Sequence, residues 1–122
     1  MATANAPLTM GAITQAGNAM KNLSLGAGAQ TAAGQGVNVS ANLAKSNAKL
    51  NLAGKQFGGV ANTMNQLGLK AAAKNFQTAA INATTGKPLE AANAANAGIT
   101  KLKNAIKKNA TGAPSTNLAG RA

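Results

Sequence analysis

The 122-residue sequence contains no cysteine, histidine, tryptophan or tyrosine, and its only acidic side chain is Glu90. Without cysteine there is no disulfide framework and no thiolate to serve as nucleophile or metal ligand. Without histidine, and with one carboxylate, a single chain cannot assemble a Ser-His-Asp triad, a paired-carboxylate site or a conventional zinc site. The chain therefore reads as non-enzymatic, with no cofactor and no resident metal. Aromatic side chains are limited to Phe57 and Phe76, which leaves little platform for stacking on exposed bases. No window approaches the ~20 apolar residues that a simple helix needs to span a bilayer. The first twenty residues hold neither the basic start nor the apolar stretch of a secretory signal, and none is expected.

Large apolar residues are scarce as well. Leu, Ile, Val and Phe make up about a sixth of the chain, while the formal net charge is +11. That combination signals disorder in a chain left alone. The expected fold is all-α, with three helices and a long central heptad-patterned helix, ordered mainly by assembly with neighbouring chains.

What is present is a rhythm of apolar residues over residues 39–74. With Leu43 at position a, the a positions continue as Leu50, Phe57, Met64 and Ala71. The d positions are Val39, Ser46, Ala53, Val60, Leu67 and Lys74. A 3.5-residue spacing places a narrow apolar seam on one side of a helix, and such a seam calls for a partner helix. Leu43, Leu50, Phe57, Val60, Met64 and Leu67 are accordingly the expected interface of a homo-oligomer.

Taken in order, residues 1–36 form an N-terminal segment. It holds an extended arm over 1–7, a short helix over 8–25 with Met10, Ile13, Gly17 and Met20 on its seam, and a Gly/Ala/Gln linker over 26–36. Thr9 is a candidate cap for the short helix, and Asn38 or Ser40 for the central one. The central helix is expected over 37–85. Its glycines each cost about 1 kcal/mol relative to alanine; they read as a hinge at Gly58-Gly59, as Gly54-xxx-Gly58 allowing close helix approach, or as a break between two shorter helices. Beyond Lys70 the apolar stripe rotates to Leu69, Ala73, Phe76, Ala80 and Ala83, as if a second partner packed there. Gly86 caps the end of this helix and Pro88 opens the next, the sharpest boundary in the chain. The basic C-terminal helix spans 86–109, with Ala92, Ala95, Ile99, Leu102 and Ile106 on its seam, and a tail follows over 110–122. Glu90 in its first turn complements the helix dipole.

Short motifs add little. Ser46-Asn47-Ala48-Lys49 matches the S-x-x-K string of serine nucleophiles but lacks its partner motifs, and Gly86-Lys87 lacks the rest of a phosphate loop. The basic residues remain as functional candidates. Twelve Lys and Arg against one acid require a counter-charge from outside, from nucleic acid, an anionic surface or acidic protein. Unopposed charge also keeps an alanine-rich chain in solution. Lys45 with Lys49, and Lys70 with Lys74, repel at i,i+4 unless a polyanion lies across them. Lys101, Lys103, Lys107 and Lys108 form the densest basic run. These eight are the expected contacts to a DNA backbone, made without base reading. Amide side chains such as Asn42, Asn47, Asn51, Asn62, Asn65 and Gln66 would give a helical bundle a neutral surface suited to a DNA conduit.

The Ala/Gly/Asn/Gln-rich helices, the apolar seam, the linker GAGAQTAAGQG, the basic charge and the lack of cysteine together resemble the small internal core or ejection proteins of short-tailed bacteriophages. They are also similar in character to the helical DNA-pilot proteins of small single-stranded DNA phages. The resemblance is compositional, covers roughly residues 8–108, and carries no functional residue over. It implies a helical assembly in the virion interior, reached from the host cytoplasm. The implied partners are portal, capsid or core proteins and the genome, with membrane contact during delivery. The expected function is that of a virion structural protein aiding DNA delivery. A nucleoid-like DNA-compacting protein, a minor capsid-associated protein and a membrane-active amphipathic protein are the alternatives.

Overall fold

A computed structural model describes the backbone of residues 2–110 and the side chains of residues 8–107. It contains four helices rather than three: α1 (Ala2–Gly34), α2 (Val39–Gln66), α3 (Lys70–Thr84) and α4 (Pro88–Ala110). No strand occurs among the described residues. Each helix packs against the next, and α4 returns to α1, closing a ring of four. Every neighbouring pair is antiparallel: Gly26 of α1 meets Leu50 of α2 while Gln15 meets Gly59, and Phe76 of α3 faces both Phe57 of α2 and Gly98 of α4.

The expected central helix is therefore two helices. The break falls at Gly68, whose φ of 79° lies in the left-handed region that favours glycine. The Leu69 amide donates to the Met64 carbonyl at 2.8 Å and the Gly68 amide to the Asn65 carbonyl at 3.0 Å, the paired bonds of a Schellman turn. Leu67 is fully buried and Leu69 half-buried, so apolar residues anchor both sides of the turn. The same pair of bonds closes α1 at Gly36 and α3 at Gly86. Gly58 and Gly59 neither hinge nor break α2, which runs through them.

Residues 26–34, expected as a linker, continue α1, and residues 2–7 are helical in backbone rather than an extended arm. Packing explains the first of these. Gly26, Ala29 and Ala33 are buried, and a Cβ built on Gly26 would stand 2.6 Å from Leu50 Cδ2. Tertiary contact supplies what helix propensity withholds. Thr9, expected as a cap, lies inside α1; it is buried, and its hydroxyl has no partner. Asn38 holds the N-cap position of α2 but makes no side-chain cap bond. Instead Asn42 Nδ2 donates to the Val37 carbonyl at 2.7 Å.

The core is built largely of alanine. In α1 the buried stripe is Thr9, Ala12, Ala16, Ala19 and Leu23, not the expected Met10, Ile13, Gly17 and Met20. Met10 and Ile13 are 61% and 43% exposed. In α4 the buried positions are Ala91, Ala95, Gly98 and Leu102, so Ala95 and Leu102 keep their expected place and Ala92, Ile99 and Ile106 are half-buried beside them. Phe57 and Phe76 stack at the centre with ring centroids 6.3 Å apart. A Cβ on Gly98 would come within 2.7 Å of the Phe76 ring. Gly54 likewise leaves room for the Thr84 methyl. A glycine costs about 1 kcal/mol in a helix, but burying an aromatic side chain stabilises by roughly 1.5–3 kcal/mol. The exchange favours close packing.

Candidate nucleic-acid interface

The expected oligomer seam and the expected DNA contacts have different fates in the fold. Leu50, Phe57, Val60, Met64 and Leu67 are each at most 3% exposed, covered within the chain. A second chain could reach them only if the bundle opened. Leu43, 47% exposed, is the one member of that set still at the surface.

No lysine with a described side chain is buried. Among those whose side chains are described, Lys49 is half-buried and the rest are exposed. They do not form one continuous face. Lys70 and Lys74 stand one turn apart at the start of α3, and Lys70 lines a cleft of about 410 Å³ together with Gly68, Leu69, Ala71, Ala72 and Lys101. Lys101 Nζ donates to Asn75 Oδ1 at 2.7 Å, which draws its charge toward α3. The Schellman turn at Gly68 and the antiparallel return of α4 thus bring Lys70 and Lys101, far apart in sequence, to one cleft, with Lys74 a turn further along α3. The first turn of α3 carries no acidic side chain, and its N-cap residue, Leu69, supplies no capping bond. The positive end of the helix dipole faces the same way.

Lys103 lies two residues beyond Lys101, roughly 200° further round α4, and so faces the opposite flank, with Lys107 one turn on. The run that looks continuous in sequence is split between the two sides of the helix. Lys45 and Lys49 sit in the first half of α2, toward the opposite end of the bundle from the α2–α3 turn. The side chain of Lys108 lies outside the described residues, as does the tail over 111–122. Lys21, Lys55 and Lys87, not among the expected contacts, are exposed as well. Lone lysines in sequence give no sign of which face they share.

Glu90 is exposed in the first turn of α4. Eleven residues of helix, about 16 Å of rise, separate it from Lys101. That exceeds the Debye length of about 8 Å at physiological ionic strength, so the one acid does little to neutralise the cluster. A lysine ammonium meets a phosphate as a point charge and reads no sequence. The amides are divided: Asn47, Asn51, Asn62, Asn65 and Gln66 are exposed, while Asn42 is half-buried and engaged with Val37.

Among the described residues no helix is long and apolar enough to cross a membrane. No protein-family model matches the chain, and no curated protein or solved structure matches it either.

Proposed function

We propose that this chain is a non-enzymatic, sequence-independent binder of the nucleic-acid backbone, working as an internal structural protein of a bacteriophage particle beside the genome and the portal or core proteins. The phosphate contact rests on one observation: Lys70 and Lys101 line one cleft between α3 and α4, with Lys74 a turn beyond Lys70 on α3 and no acid nearby. The particle setting rests on the compositional resemblance. Assembly in this reading joins bundles that are already folded, because the apolar seam of α2 is consumed inside each chain.

That same closed core favours a second reading, a nucleoid-like protein that compacts DNA as a free bundle. The two differ in location: the first predicts the chain inside purified particles, the second on DNA in cells without them.

The test of phosphate binding is a titration of a random-sequence duplex against salt. Three lysine contacts give a slope of log K on log salt near −2.7, which is a loss of about fortyfold between 50 and 200 mM. Replacing Lys70, Lys74 and Lys101 together by Gln should flatten the slope by about that amount. Affinity that does not change with salt would remove the proposal.

A further inference from the structure

The seam between α1 and α4 is the open side of the bundle. Near the chain reversals at residues 35–38 and 85–87 it widens into a cleft of about 410 Å³, bordered by Met20, Ser24, Ala27 and Thr31 of α1 and by Pro88, Leu89 and Ala92 of α4. Leu23 and Gln30 complete the α1 lining; within it Met20, Ser24, Ala27 and Thr31 are spaced by four and three, and the same spacing run backwards reaches Gly17, Ile13 and Met10. These are the residues expected to form a seam and found exposed or half-buried. The α4 side repeats the pattern: from Leu89 and Ala92 it continues through Asn96, Ile99, Lys103 and Ile106. Ile99 and Ile106 are half-buried against the core, Leu89 is 71% exposed, and nothing lies within 4 Å of a Cβ built on Gly17. Two antiparallel stripes at heptad spacing thus run on from this cleft along the α1–α4 seam, over about 18 residues of α4, roughly 27 Å.

A groove flanked by heptad stripes has the shape of a fifth helix. Its charge selects the occupant. Lys103 stands within the α4 stripe, Lys107 borders it, and Lys21 follows Met20 on the outer edge of α1; all three are exposed. No acid opposes them. Glu90 precedes Lys101 by eleven residues, three turns of helix, and so shares the α3-facing flank. A second copy of this chain would bring a further +11 charge to the same surface. A nucleic acid has no use for the apolar floor. We infer that the α1–α4 groove is a docking site for an amphipathic helix of a partner protein, apolar on one face and acidic along its edges.

The probe is a labelled peptide of roughly three heptads with Leu at a and d and Glu at e and g, followed by fluorescence anisotropy with the full chain. It should bind, and Ile13→Asp and Leu89→Asp should each weaken it by about tenfold or more. Ile81→Asp, at a 62% exposed site on α3, should leave binding unchanged. All three positions are at least 43% exposed, and circular dichroism should show the helices intact. The inference is overturned if the Glu-Leu peptide fails to bind, or if a version with Lys at e and g, or with Ser at a and d, binds equally well. Equal weakening by Ile81→Asp overturns it too. A homodimer dissolved by Ile13→Asp would assign the groove to a second copy, and anionic-vesicle binding lost in the same variant would assign it to a lipid surface. Neither result touches the salt dependence of DNA binding.

Discussion

Replacing Gly98 by Ala tests the centre of the bundle with a single methyl group. In an exposed helix the change would stabilise by about 0.8–1 kcal/mol, because alanine restricts the unfolded chain more. Here the new Cβ would stand 2.7 Å from Phe76 Cε2 and 2.9 Å from Cζ, inside van der Waals contact. Phe76 is fully buried and stacked on Phe57, so its ring has nowhere to retreat without moving its neighbour. Overpacking of this kind costs typically 1–3 kcal/mol, so against that gain the net effect should be a loss of about 0–2 kcal/mol. For a domain of this size that lowers Tm by at most roughly 12 °C. Gly58→Ala supplies the internal reference: it adds the same methyl to a helix with nothing within 4 Å of the new atom, and should raise Tm. Thermal and urea unfolding followed by circular dichroism measure both. In the double variant Gly98→Ala with Phe76→Leu, the smaller side chain should recover part of the loss, a coupling that a mutant cycle reads directly. If Gly98→Ala stabilises the chain as much as Gly58→Ala does, Phe76 does not rest on α4 and the central packing is wrong.

Further expectations concern the seam, the turn and the cations. Phe57→Asp should remove the helical signal of the chain itself, since it places a charge at a fully buried site; a helical protein with an altered oligomeric state would instead restore the seam to an interface between chains. Gly68→Ala should cost about 1–2 kcal/mol through the left-handed conformation of that residue, seen as a lower urea midpoint with an unchanged slope. The Gln variant of Lys70, Lys74 and Lys101 should leave Tm within a few degrees of the parent while flattening the salt dependence of DNA binding, because surface cations contribute little to stability.

The all-helical class was legible from periodicity, and so was the boundary at Gly86 and Pro88, where turn chemistry and the end of a stripe coincide. The fourth helix was not. Leu67-Gly68-Leu69 keeps apolar residues on both sides of its glycine, and the rotation of the stripe beyond Lys70 suits a new partner face as well as a reversal of the chain. Spacing also leaves open who covers a seam: Leu50, Phe57 and Met64 would look the same in an oligomer and in a closed bundle. In α1 the larger residues Met10, Ile13 and Met20 drew attention from the alanines beside them, although Ala12, Ala16 and Ala19 are the ones inside. Alanine is too common in this chain to mark a face. The basic cluster was legible as charge but not as geometry, since only the fold brings Lys70 and Lys101 to one cleft.

The alanine stripes also bear on how so little apolar mass can hold a chain together. An alanine side chain has no rotamers to lose, whereas each buried Leu or Ile gives up about 0.5–1 kcal/mol of side-chain entropy and a Met up to about 2. A core in which Ala19, Ala53, Ala79 and Ala95 are fully buried is therefore ordered almost without that cost. Among the described residues the few long side chains, such as Met64, Leu67 and Leu102, are the interior groups that surrender most freedom on folding. What such a core lacks in transfer free energy it offsets by having little internal motion to suppress.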